Sequence, residues 1–286
     1  MAGILSGLEQ FGFSNLEEVK VFEQQKKEES SAAESKTAEV TEQDLLFDKS
    51  YVCPICDKEF KVKTVKVGKA KLVGTDLDLR PKYANVDMLK YDIILCPHCG
   101  YATLSRYFKF ITSPQMKLIK ENISKVFKAK PEAQKDIYTF EEALERYKLA
   151  LANAIVKQAK PSEKAYICLK AAWLIRGESE RLDPTASDYQ NKKVDLAADE
   201  DEFLHNALEG FLAARQAESF PMCGMDEPTV DYLIAVTALH FNQFEIASKL
   251  ISGILSARET NPRMKDKARD LKDILMKKLK EQKDAR

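Results

Sequence analysis

No run of apolar residues in this chain approaches the roughly 20 that a membrane-crossing helix needs. No net charge is present to draw the whole molecule to nucleic acid: 45 basic side chains face 45 acidic ones. The opening stretch, MAGILSGLEQFGFSN, has neither a basic start nor a long apolar core, so it does not read as a secretory leader. Gly3 stands one place too late for myristoylation. Phosphate-cradling loops, dinucleotide glycine fingerprints, HExxH and GxSxG are all missing, so enzymatic activity has no positive support.

What remains is a chain of 286 residues, 44% hydrophobic and 31% charged, long enough for roughly two globular domains. The zero net charge hides a segmentation. Residues 1–49 carry 11 acids against 5 bases, and residues 50–111 carry 11 bases against 6 acids. Six cysteines, four of them in two CxxC pairs, fit a reducing cytoplasm and a metal site better than a disulfide framework.

Residues 1–22 space Ile4, Leu5, Leu8, Phe11, Leu16, Val19 and Phe22 as a short amphipathic helix would, with Ser14 and Glu17 forming a capping box. Residues 23–44 hold ten charges and no aromatic side chain, which predicts a flexible linker. A β-rich module is expected over 45–112. Within it KVKTVKV (61–67) and KAKLV (69–73) suggest a hairpin about Gly68, and Tyr91–Leu95 a further strand. From 113 to 286 the pattern is helical, punctuated by prolines. The fold class expected is α+β, mainly α.

The chemistry concentrates in YVCPICDKEF and ILCPHCGYA. A strand followed by Cys-Pro-X-Cys and a tight turn lets two thiolates meet one ion, so two such knuckles supply Cys53, Cys56, Cys96 and Cys99 as a closed tetrahedral set. Structural zinc suits those ligands, and iron would accept the same four sulfurs. Four sulfurs leave no open position for an activated water, which argues against a catalytic ion. Gly100 falls where such a turn needs positive φ, and His98 points away from the ion. The 39 residues between Cys56 and Cys96 leave room for an inserted hairpin.

Three helical trios, Ala143/Tyr147/Ala150, Ala207/Phe211/Ala214 and Ala247/Ile251/Ile254, place small and bulky residues on one face. They resemble the second helix of a tetratricopeptide repeat, although successive trios lie 64 and 40 residues apart, so an irregular array is expected. The helix from about Arg263 to Gln282 reads as a polar cap. Together with CPIC and CPHCGYA, the segments LDLRPKY (77–83), AAWLIR (171–176) and FPMCGMDEPTVDYLI (220–234) resemble the bacterial domain-of-unknown-function family 2225 over roughly residues 45–280. That resemblance implies a zinc-ribbon-like start followed by tetratricopeptide-like helices, and no particular reaction.

Cys168, His205, His240 and Trp173 are read as ordinary core or surface residues. The segment of Arg80, Pro81 and Tyr83 is read as either a ligand surface or a turn packed on the knuckles. Three functions are weighed. The first is a non-enzymatic scaffold that offers a helical groove to a protein or peptide. The second is nucleic-acid binding through Lys58, Lys61, Lys63, Lys66, Lys69 and Lys71 of the expected hairpin, with Tyr101, Tyr107 and Phe108 nearby. The last is thiol catalysis at Cys223, disfavoured because Asp226 and Glu227 would raise its pKa.

Overall fold

The computed structural model describes residues 40–129 and 136–284. Six short strands come first: β1 (Leu46–Val52), β2 (Glu59–Val65), β3 (Leu72–Thr75), β4 (Pro81–Tyr83), β5 (Ile93–Leu95) and β6 (Ala102–Leu104). Seven α-helices follow among the described residues: α1 (Ser113–Ile119), α2 (Phe140–Val156), α3 (Pro161–Ser179), α4 (Tyr189–Ala217), α5 (Glu227–His240), α6 (Phe244–Ser256) and α7 (Pro262–Asp284). The fold is α+β and mainly α. The predicted helix over 1–22 lies outside the described residues.

The strands form three separate antiparallel pairs, β1 with β2, β3 with β4 and β5 with β6. This corrects the expected hairpin about Gly68. Strand β2 pairs backwards with β1, setting Tyr51 opposite Phe60 and Lys49 opposite Val62, and the CPIC turn is itself the connection. Phe60 and Val62 face one side of β2 and Val65 the other, in a different cluster, so the apolar positions of KVKTVKV settle neither a single inward face nor which strand lies alongside. A hairpin is inserted between the knuckles, but it is β3–β4, whose Leu72 and Val73 are exposed. The strand expected at Tyr91 begins two residues later, because Met88–Tyr91 winds as a 3-10 turn capped by the Asp87 side chain.

Residues 23–39 of the predicted linker lie outside the described residues, and residues 40–44 are placed. Glu42 pairs with the buried Lys90 at 2.7 Å and accepts the Tyr91 hydroxyl at 2.7 Å, and Gln43–Leu45 makes a 3-10 turn against Val65, Val86 and Tyr91.

All nine residues of the three trios are buried. Small residues set the closest approach in the helical half: a Cβ on Gly210 of α4 would come within 2.9 Å of the Ala165 Cβ on α3. Helices α5 and α6, of 14 and 13 residues, are joined by only three residues and pack on each other, while α3 and α4 run to 19 and 29. Lengths so unequal do not repeat at one period.

The loop between β3 and β4 packs on α3, not on the knuckles, and this settles the two readings of LDLRPKY against the second. Arg80, only 2% exposed, donates to Asp76 at 2.6 Å, to the Trp173 carbonyl at 3.2 Å and to Glu180 at 2.5 Å. Asp78 accepts the Trp173 indole N–H at 2.8 Å and pairs with Arg176 at 2.9 Å. The Tyr232 hydroxyl of α5 closes on the Leu77 carbonyl at 3.0 Å. Two of the segments singled out in the sequence, LDLRPKY and AAWLIR, therefore interlock.

Burial opposes ionisation of Asp76 and Glu180. Lys82 and Arg80 outweigh it at Asp76, and Arg80 and Lys82 do so at Glu180, so both carboxyls lie below their usual range. A depressed carboxyl stabilises the fold above its unfolded pKa, and the contribution is lost as pH falls through the folded value. Arg80→Met should cost about 3 kcal/mol at pH 7, the low end for a broken buried pair because Glu180 keeps water access. The deficit should shrink at pH 3, below the ordinary carboxyl value of about 4. Urea titrations of both proteins at the two pH values check this.

Candidate metal centre

Strands β1 and β5 each run out at the residue before a cysteine, Cys53 and Cys96, and the chain turns there in the same way twice. The Cys53 N–H donates to the Lys58 carbonyl at 3.0 Å, and the Asp57 N–H returns to the Cys53 carbonyl at 2.9 Å. In the second turn Cys96 N–H donates to Tyr101 at 2.8 Å, and Gly100 N–H returns to Cys96 at 3.0 Å. Gly100 has φ of 74°, as the sequence leads one to expect, and its counterpart Asp57 has φ of 59°. Asp57 was legible from aligning CPICD on CPHCG, since the two positions coincide.

The two turns face each other. The four sulfurs of Cys53, Cys56, Cys96 and Cys99 all lie within 4.8 Å of one another. Cys53 and Cys99 approach to 3.5 Å, Cys56 and Cys96 to 3.7 Å, and no disulfide joins any pair. Zinc–sulfur bonds of about 2.3 Å in a tetrahedron set the sulfurs about 3.8 Å apart, so the cage has the size for a thiolate-bound ion. The Ile55 N–H lies 3.4 Å from the Cys53 sulfur, a backbone donor that favours the thiolate. Cys53 and Cys96 are 0% exposed, and the rings of Tyr51, Phe60, Tyr101 and Phe108 pack edge and face beside them. The donor set is soft and closed and can hold one metal ion.

The charge balance points the same way. Hydrogen bonds from Cys53 and then Cys99 pull the Cys96 thiol down to about 2, whereas sharing with Cys96 pushes Cys53 up to about 12. Cys99 is driven up as well, by Cys53 and then Cys96. A bound dication would favour the ionised form of all the sulfurs that ligate it.

A residue outside both knuckles completes the support. Asn153 of α2, fully buried, donates to the Gly100 carbonyl at 3.0 Å and so ties the second turn to the helices. Nothing in its sequence context, LALANAIV, marks it. His98 is exposed, as expected of a residue inside the CxxC that is not a ligand.

The lysines are scattered differently from the expected single hairpin. Lys61 and Lys63 lie on β2, Lys66 and Lys69 in the following turn, and Lys71 before β3, with Lys58 in the first knuckle. Lys63 pairs with Asp48 at 3.1 Å and Lys66 donates to the Asp44 carbonyl at 2.7 Å, while Lys58, Lys61, Lys69 and Lys71 are exposed. Tyr101 and Phe108, considered as base-stacking rings, are core residues at 0% and 1% exposure. Cys168 is buried, and burial pushes its thiol up to about 12. Burial also raises Cys223, against hydrogen bonds with Tyr107 and Ser162 that lower it. Desolvation, not the neighbouring acids, is therefore its main perturbation: Asp226 is engaged in capping α5 at the Thr229 N–H.

A Cβ at residue 100 would meet the Phe127 ring at 2.5 Å as well as forcing an unfavourable φ. Gly100→Ala should therefore destabilise the fold by more than the about 1–2 kcal/mol of left-handed backbone alone. Asp57→Gly, at the matching place in the first knuckle, should be close to neutral, because relief of the left-handed backbone offsets the entropy that glycine adds to the unfolded chain. Denaturant midpoints of the two variants read the contrast.

A family model described as an uncharacterized protein conserved in bacteria (DUF2225) matches residues 46–275. No curated protein and no solved structure matches the chain. The chain belongs to that bacterial family.

Proposed function

We propose that this family member is a non-enzymatic interaction protein of the bacterial cytoplasm, stapled by one structural zinc ion and presenting a tetratricopeptide-like helical groove to a protein or peptide partner. The observation that carries the zinc assignment is the closed cage of four sulfurs, three of them buried, with no oxygen or nitrogen ligand among the described residues around it. Such a shell supports folding rather than chemistry, because every coordination position belongs to the protein. A reducing compartment keeps six free cysteines as thiols, and no described helix is long and apolar enough to cross a membrane.

Support for the groove comes from the helices. The α5–α6 pair, its three-residue connection and the buried Ala247, Ile251 and Ile254 have the build of a repeat unit, and stacked helix pairs form extended concave surfaces. The alternative, nucleic-acid binding, is favoured by the exposure of Lys58, Lys61, Lys69 and Lys71 around β2 and its following turn. Catalysis at Cys223 has the least support, since burial keeps that thiol protonated.

Elemental analysis of the purified full chain should give one zinc per chain and no iron absorption in the visible. Cys53→Ser or Cys96→Ser should abolish that stoichiometry and lower the melting temperature. Affinity capture from the native cells, with and without nuclease, separates the two readings. Partners that persist after nuclease fit the groove, and partners lost with it, or with rising salt, fit the lysines.

A further inference from the structure

A second site lies away from the sulfur cage, where the β3–β4 loop meets α3, α4, α5 and α7. A cavity of about 240 Å³ opens there. Its apolar wall is Leu204 of α4, Val236 and Leu239 of α5 and Ile274 of α7. Its polar groups are unequally committed. Arg176 is held by Asp78 at 2.9 Å and Glu200 at 2.7 Å, and His240 lies 2.6 Å from Asp201. Lys278 is different. It is half-buried on the cavity wall, and its one described bond is to the Leu239 carbonyl at 3.1 Å, the C-terminal end of α5. No described carboxylate pairs with it.

An ammonium has three N–H donors, and one carbonyl takes only one of them. Holding such a group half out of water beside an apolar wall costs free energy that an anion would offset. Beside the apolar wall, Lys278 has no described carboxylate partner while the lining carboxylate, Asp78, is paired with Arg176, which favours an amphipathic anion over a metal or a sugar. Size sets the rest: a protein cavity of about 150 Å³ takes up benzene, so this one has room for a ring or short branched chain plus a headgroup.

We propose that this cavity binds a small amphipathic carboxylate, its headgroup on Lys278 and its apolar body against Leu204, Val236, Leu239 and Ile274. The site shares no residue with the metal cage. The fold supplies its own reporter. The single tryptophan, Trp173, donates its indole N–H to Asp78, whose side chain lines the same cavity.

The test titrates the full chain with phenylacetate and with phenylacetamide, its uncharged counterpart, following Trp173 fluorescence and heat by calorimetry. Saturable binding of phenylacetate, at least tenfold weaker for the amide, is expected. Lys278→Gln should weaken phenylacetate tenfold or more, and Lys277→Gln, one residue away and exposed, should not. Circular dichroism confirms that both variants are folded. If Lys278→Gln unfolds, the comparison of acid with amide on the unaltered chain still decides. Equal binding of acid and amide, or no heat and no fluorescence change with either up to their solubility limits, overturns the proposal.

Discussion

Four sulfurs drawn within 4.8 Å of one another, unlinked by any disulfide, are a constraint on everything around them. Thiols so close share protons, thiolates so close repel, and a low-dielectric surround sharpens both effects. The strands around them are short and lean on the neighbouring helices, with Ile119 of α1 and Val156 of α2 packed on the cysteine cluster. Each hairpin has two strands, and an isolated two-stranded ribbon is marginal in water. Its core is Ile55, Phe60, Val62, Ile94, Tyr101, Phe108 and Ile119, gathered about the cysteines themselves. The four sulfurs and the aromatic packing thus share one small volume, and the loss of either exposes the other.

The helical half reaches stability by another route. Alanines and Gly210 bring α3 and α4 close, and dispersion over a large area is joined by one directed pair, Arg176 with Glu200. Direction comes from the polar network on its flank. Asp76, Asp78 and Arg80 of one loop engage Trp173, Arg176 and Glu180 of one helix, and every bond fixes the loop's register against α3. A charge network so satisfied costs little to bury and much to break in part. Asn153 performs a comparable task for the second knuckle, reaching from α2 to a backbone carbonyl. These side-chain bonds add to a core that the β module and the helices share, in which Leu89, Ile93, Ala102 and Leu104 pack with residues of α2 and α3.

Much of this was legible in the sequence, for identifiable reasons. Cysteine spacing speaks directly, because two residues between ligands have one turn geometry that works. The helical trios spoke through periodicity, and all nine residues are buried. Strand pairing was not legible. KVKTVKV has strand composition, yet composition says nothing of the partner, and the chain folded it back across CPIC to β1 instead of forward across Gly68. The role of LDLRPKY was equally hidden, since its contacts lie about a hundred residues downstream in α3. The cavity beside Lys278 gathers five elements, and no local pattern marks such a convergence.

The twofold likeness of the knuckles has a consequence in time. Each brings two ligands, and two sulfurs do not make a closed site. The 39 residues between Cys56 and Cys96 must be synthesised before the second pair exists. At about 5–20 residues per second, the first pair waits about 2–8 s on the ribosome, and longer while the second clears the exit. The nascent chain thus carries one pair of thiols before the second pair exists, and the four-sulfur cage can close only when the two hairpins find each other.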